Sequence, residues 1–146
     1  MYFVLNQSAR PQLRTNRPPS YHLTCRQLQK MKIERNGVTL NNSPVDQVIL
    51  IARIVSSTKG TSPRGLPVSN LLLEDSTGRC RVVLYEALTV DEGGYYKVVV
   101  SARVMGPVYR PELKLMSFGM VVLEDYSELT EHFLECMSSE QILASI

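Results

Sequence analysis

The sequence predicts an all-β fold: a small five-stranded Greek-key barrel with a flanking C-terminal α-helix. Three observations lead there. Five strand-like segments lie between Val45 and Val122, separated by turn and loop residues. One of them, Arg79 to Tyr85, alternates: Cys80, Val82 and Leu84 share one face, while Arg79, Arg81, Val83 and Tyr85 share the other. A helical pattern appears after the last strand, at Leu129, Phe133, Cys136 and Met137. The 146 residues suffice for one domain with a real core.

Residues 6 to 20 hold Arg10, Pro11, Arg14, Arg17, Pro18 and Pro19 and no acid. Proline resists helix, so residues 1–20 read as a flexible basic arm. Residues 21–125 read as the barrel, and 126–146 as a helix for partner packing. Thr24, with Gln27 three residues on, spells the capping box of a short helix anchored by Leu23 and Leu28. Asn36-Gly37 marks a turn between Met31–Arg35 and Val38–Asn41, a small strand pair.

The first long strand is Gln47 to Ser57. Its centre, Val48 to Ala52, is apolar on both faces, which suits a strand buried on both sides or a curved barrel strand. Thr58 to Gly65 is loop by composition. Asn70 to Asp75 is the second strand, Asp75 to Gly78 a turn, and Arg79 to Tyr85 the third strand. Glu86 to Gly94 makes a loop or one helical turn. Tyr95 to Met105 is the fourth strand, with Tyr96, Val98, Val100, Ala102 and Val104 on an apolar face and Lys97, Ser101 and Arg103 opposite. Gly106 to Pro111 is a hairpin loop and Leu113 to Val122 the fifth strand. Asp125 or Ser127 caps the helix. Strand count and length fit a barrel of the OB type. An open sandwich fits the count almost as well.

Net charge is +2, but it is unevenly spread. No lysine or arginine follows Lys114. Six of the 14 acids lie beyond it, leaving eight against all 16 basic residues. A body near +8 and a tail near −6 point to a polyanion for the one and another task for the other. Cys25, Cys80 and Cys136 form no CxxC pair and read as reduced, buried thiols. Met1 to Leu5 is too short for a secretory signal, and no segment approaches a membrane span.

Enzyme chemistry finds no foothold. His22 and His132 lie at opposite ends of the sequence, beside no nucleophile and at no metal-ligand spacing. His132, with Glu128 four residues before it, reads as a surface pair. GxSxG, HExxH and P-loop patterns are missing. No cofactor, metal, membrane or small-molecule substrate is called for.

Nucleic-acid chemistry does. Arg79, Arg81 and Tyr85 share a face of the third strand, and Lys97 and Arg103 a face of the fourth. Lys59 and Arg64 sit in the first loop, Tyr109, Arg110 and Lys114 around the last. In an OB barrel the second and third strands, with the first and last loops, form the binding groove. Cations there release counterions from a phosphate backbone, and rings stack on bases. Scattered arginines that merely solubilise a barrel are the plain alternative for each residue alone. On the helix, Leu129, Phe133 and Met137 are the candidate partner interface, extended by Ile142, Leu143 and Ile146. Packing on its own barrel is the plain alternative.

Several stretches resemble the OB domain of the middle subunit of replication protein A, the single-strand-binding heterotrimer. They are Val45–Val55, Leu73 to Gly78, Tyr96-Lys97-Val98, and Leu123 to Tyr126 continuing through His132 to Glu135. Stn-type subunits of telomere-capping complexes are similar in the same region, roughly residues 21 to 138. The resemblance implies a non-catalytic nuclear subunit on the chromosome. Its barrel would touch single-stranded DNA, and its helix would join another OB-fold subunit in a heterodimer or heterotrimer. The chain also departs from the family. It has no tryptophan; Tyr85 stands where the family's middle subunit has one. The second stacking ring falls near Met105 and Gly106, with Tyr109 nearest. An arginine and proline arm replaces a phosphorylatable tail. These departures favour a specialised telomere-capping form over a general replication or repair subunit. An assembly scaffold with little DNA affinity is the rival class, and RNA is a possible ligand because stacking platforms accept it.

Overall fold

The computed structural model describes residues 20–34, 37–86 and 92–144. The first elements are β1 (Tyr21–His22), α1 (Cys25–Leu28), β2 (Lys32–Glu34), β3 (Gly37–Leu40) and β4 (Ser43–Pro44). Then come β5 (Gln47–Thr61), β6 (Pro67–Glu74), β7 (Arg79–Leu84), β8 (Tyr95–Met105), β9 (Glu112–Ser117), β10 (Met120–Val122) and α2 (Ser127–Ala144). The arm up to residue 19, the Asn36 corner and most of the Glu86–Gly94 connection lie outside the described residues.

Pairing runs β5–β6–β7 antiparallel, β7–β9 parallel, β9–β8 antiparallel and β8–β5 antiparallel. That circuit returns to its first strand, so the fold is a closed five-stranded OB barrel and the open sandwich is excluded. β5 is long enough to serve two neighbours. Gln47 to Arg53 pair with β8, and Arg53 to Thr61 pair with β6. A register shift between Ile54 and Ser56 bends the strand where it changes partner.

Alternation then sorts the side chains. Val48, Leu50, Ala52 and Ile54 meet Leu71, Leu73, Val82, Leu84, Val98 and Val100 in the interior. The Cys25–Cys80 contact, with sulfurs 3.7 Å apart, lies at its α1 end. Ile51 points outward yet is buried, because α2 covers that side. The doubly apolar centre of β5 thus reflects a strand buried on both faces.

The predicted capping box forms. Gln27 N–H donates to Thr24 Oγ1 at 3.2 Å, and Thr24 N–H to Gln27 Oε1 at 2.8 Å. Buried Asp75 fastens α1 to the β6–β7 turn: its Oδ2 accepts from Cys25 N–H at 2.8 Å, and its Oδ1 from Thr77 N–H at 3.0 Å. The small strand pair is β2–β3, joined by β4 as a third strand. Asp125 Oδ1 accepts Ser127 N–H at 2.9 Å at the start of α2.

Three expectations are corrected. Thr58 to Thr61 continue β5 rather than forming a loop. β6 starts at Pro67 and offers them backbone partners, so pairing overrides composition. The fifth strand is broken at Phe118-Gly119, where Ser117 Oγ donates to the Gly119 carbonyl at 2.8 Å and diverts the backbone. Val104 is 39 % exposed, since it lies beyond the tightly packed interior and faces only half-buried Leu113. On α2, the side chains that pack on the barrel are His132, Cys136 and Ser139. Met137 is 60 % exposed and Phe133 half-buried, because the helix lies on polar His22 and Gln27 as well as on Ile51.

Candidate nucleic-acid interface

The outward face of the β6–β7–β9 sheet is the region where predicted site residues converge. Register places Leu72 beside Arg81, Asn70 beside Val83, and Val83 beside Met116. Arg81 stands exposed on this face and has no ion-pair partner among the described residues. Tyr85 follows at the end of β7, its backbone N–H bonded to the Ser117 carbonyl at 2.8 Å. Lys114 Nζ donates to Tyr85 Oη at 2.9 Å and lies 5.4 Å from the ring centroid. Phe118 sits 5.4 Å from Tyr85, centroid to centroid, with the rings inclined by 31°. Guanidinium, ammonium and two rings thus line one open strip.

The remaining predicted residues are distributed differently. Arg79 donates to Glu74 Oε1 at 3.1 Å, and Arg53 reaches the other oxygen at 2.5 Å. Arg79 first, and then Arg53, hold the Glu74 carboxyl below the usual carboxylate range. Arg103 pairs with Asp46, although it also stands directly across from Lys114. Lys97 is not beside Arg103 in the strip. It pairs with Ile51 at the end of β8 that α2 covers, and it lines a cavity of about 420 Å³ with His22, Glu128, Glu131, His132 and Glu135. Lys59 pairs with Ser69, so it falls on the face opposite Asn70 and Arg81. Arg64 lies in the β5–β6 connection. Tyr109 and Arg110 are exposed in the β8–β9 connection. Gly106 makes that turn with φ +89°, and a Cβ there would come within 2.9 Å of the Arg110 carbonyl oxygen.

Phe118 escapes sequence reasoning because it reads as one more apolar residue inside a continuous strand. A Ser-Phe-Gly step in a strand pattern, with glycine weakening the ladder, is the signal for it.

A second polar centre was also unexpected. His132 is 1 % exposed, not a surface residue paired with Glu128. Its Nδ1 lies 3.0 Å from His22 Nδ1, and its Nε2 3.4 Å from Cys136 Sγ. Burial foremost, then the neighbouring His22, lowers its pKa to about 4. Burial likewise lowers His22 and pushes the Cys136 thiol up to about 12. This centre joins α2 to β1. Among the described residues no group of three histidine, cysteine or acidic side chains is placed to hold a metal, and no helix is long and apolar enough to cross a membrane.

No family model and no curated protein matches the chain by sequence. Solved structures do match its fold. A chain of a replication protein A heterotrimer bound to single-stranded DNA superposes with a TM-score of 0.68 at 17 % identity, covering 86 % of this chain and 98 % of that one. A chain of the S. pombe Stn1–Ten1 complex gives 0.69 at 14 % identity, covering 86 % and 93 %. Yeast replication protein A bound to single-stranded DNA gives 0.67 at 19 % identity, covering 86 % and 92 %. The chain has the OB fold of these proteins, as the resemblance in its residues leads one to expect.

Proposed function

We propose that this chain is a non-catalytic OB subunit that binds single-stranded DNA within a replication-protein-A-like complex. The observation that carries the reading is the open strip of Arg81, Tyr85, Lys114 and Phe118 on the barrel face. Unneutralised cations track a phosphate backbone, and exposed rings stack on splayed bases. Arg79 and Arg103 flank the strip, and Tyr109, Arg110 and Arg64, in the connections, are secondary contacts, whereas Lys59 lies on the opposite face. Lys97 is the weakest member of the set, being turned toward α2. The mechanism is passive: the subunit holds the strand, excludes nucleases and recruits partners.

The partner is another OB-fold subunit, received by α2. Leu134 and Met137 are exposed there, with Leu129 and Phe133 half-buried beside them. The reading places the protein in the nucleus, on chromosomes. Chromosome-end protection is its specialised form, supported by the likeness to a Stn1–Ten1 chain and by the lack of tryptophan. A scaffold with little DNA affinity is the second reading, favoured by the pairing of Arg79 and Arg103 with carboxylates.

Fluorescence anisotropy of a labelled single-stranded oligonucleotide, at low and physiological salt with duplex as competitor, separates the two. The binding reading expects salt-sensitive association that duplex does not displace. Arg81→Ala with Tyr85→Ala should then weaken affinity by roughly tenfold or more, since each stacked base is worth about 1–3 kcal/mol. No association at low salt leaves the scaffold reading standing.

A further inference from the structure

We propose that Phe118 is the principal base-stacking surface of this barrel, with Tyr85 and Lys114 as its support. This rests on the single-strand-binding reading and names the place where a base is held. The Phe118 ring leans on Tyr85 in a tilted pair, its centroid 5.4 Å away and within the separation that aromatic pairs favour. Yet Phe118 remains 64 % exposed. A ring held out on a braced support presents apolar surface that folding alone does not require.

The bracing is specific. Ser117 is buried and register-paired with Leu84, which ties the end of β9 to β7. Its Oγ donates to the Gly119 carbonyl at 2.8 Å and accepts from Gly119 N–H at 3.2 Å. This bend interrupts the strand at Phe118 and keeps its ring out of the ladder. Behind it, Tyr85 is fixed at its hydroxyl by Lys114. Two of that ammonium's three protons remain for a phosphate oxygen. The occupant that fits is an unpaired nucleobase with its 5′ or 3′ phosphate. Its π-face lies on Phe118, its charge meets Lys114, and the strand continues toward Arg81. Two smaller rings side by side thus supply stacking area in a chain without tryptophan.

The absence of tryptophan makes the test direct. Phe118→Trp introduces a single indole, whose emission is read during titration with an oligothymidine and, separately, with a duplex. The expected result is emission quenching by the single strand, little change with duplex, and affinity within about threefold of the parent. Phe118→Ala and Phe118→Leu should each weaken the single strand by about tenfold, the leucine included because it keeps bulk but offers no π-face. Circular dichroism of both variants should match the parent, as the ring is largely exposed. If the parent binds the oligonucleotide while Phe118→Ala binds equally well, or the indole does not respond, the platform is refuted and the binding function stands. If the parent itself does not bind, both fall together.

Discussion

Inside the barrel, Val48, Leu50 and Ile54 of β5 meet Leu71, Leu73, Val82 and Val98 in an apolar interior. Under α2, the barrel meets the helix through His22, His132, Cys136 and Ser139, with Gln27 Nε2 donating to the Cys136 carbonyl at 3.3 Å. The interior is fully buried and the seam largely so, with His22 half-buried, and the two are held by different physics. Apolar burial is indifferent to proton concentration and to direction. The helix seam favours neutral imidazoles, because burial opposes their charged form; across 3.0 Å one ring donates and the other accepts. The molecule therefore combines a barrel held by shape with a helix held by protonation state.

The largest expected effect breaks the interior. Leu50 is fully buried, and Leu50→Ala should cost about 4 kcal/mol, within the usual range for a core leucine. Urea denaturation at pH 7.5 and pH 6 should give the same loss at both. A difference between the two would mean that the interior and the seam are not separable.

Acid probes the seam. An ordinary histidine titrates near 6.5, whereas burial lowers folded His132 to about 4. The unfolded chain takes up a proton first, so stability is full above about pH 6.5 and declines as pH falls toward 4. The expected decline is about 3 kcal/mol, and His22, lowered in the same direction, adds to it. Lowered carboxyls such as Glu74 and Asp125 begin to lose their contribution only as pH falls below their ordinary values of 4.5 and 3.8, so most of the histidine window lies above them. Denaturation curves of the parent and of His132→Leu across this range test the assignment. The variant should be flatter; parallel profiles would place the acid sensitivity elsewhere.

The smallest effect lies at α1, which touches both regions. Thr24→Ala removes one arm of the capping box and should cost about 1 kcal/mol, independent of pH. A pH-dependent loss would show that Gln27 transmits the cap to the seam.

What the sequence made legible follows period and local chemistry. The alternation Arg79 to Tyr85, the five barrel strands, the Thr24–Gln27 box and the helix start at Asp125 all depend on residues close together in the chain. What stayed hidden depends on distant partners. Nothing near Arg103 announces Asp46, and nothing near Arg79 announces Arg53 at the far oxygen of Glu74; strand register creates both. His132 reads as a surface pair with Glu128 for the same reason, since its actual partner, His22, lies over a hundred residues earlier. Phe118 was lost to a break in β9 that a hydroxyl causes.

The same long-range geometry sets an order of events when the chain is made. Val83 must find Met116, and Gln47 must find Ser101, before the barrel is closed. Such non-local closures make folding slow for a chain of this size. The helix that covers Ile51 is synthesised after every strand it rests on. On the ribosome, the nascent barrel therefore leaves Ile51, His22 and Gln27 uncovered until α2 emerges, and that interval is when a chaperone or an early partner subunit has most to gain by engaging it.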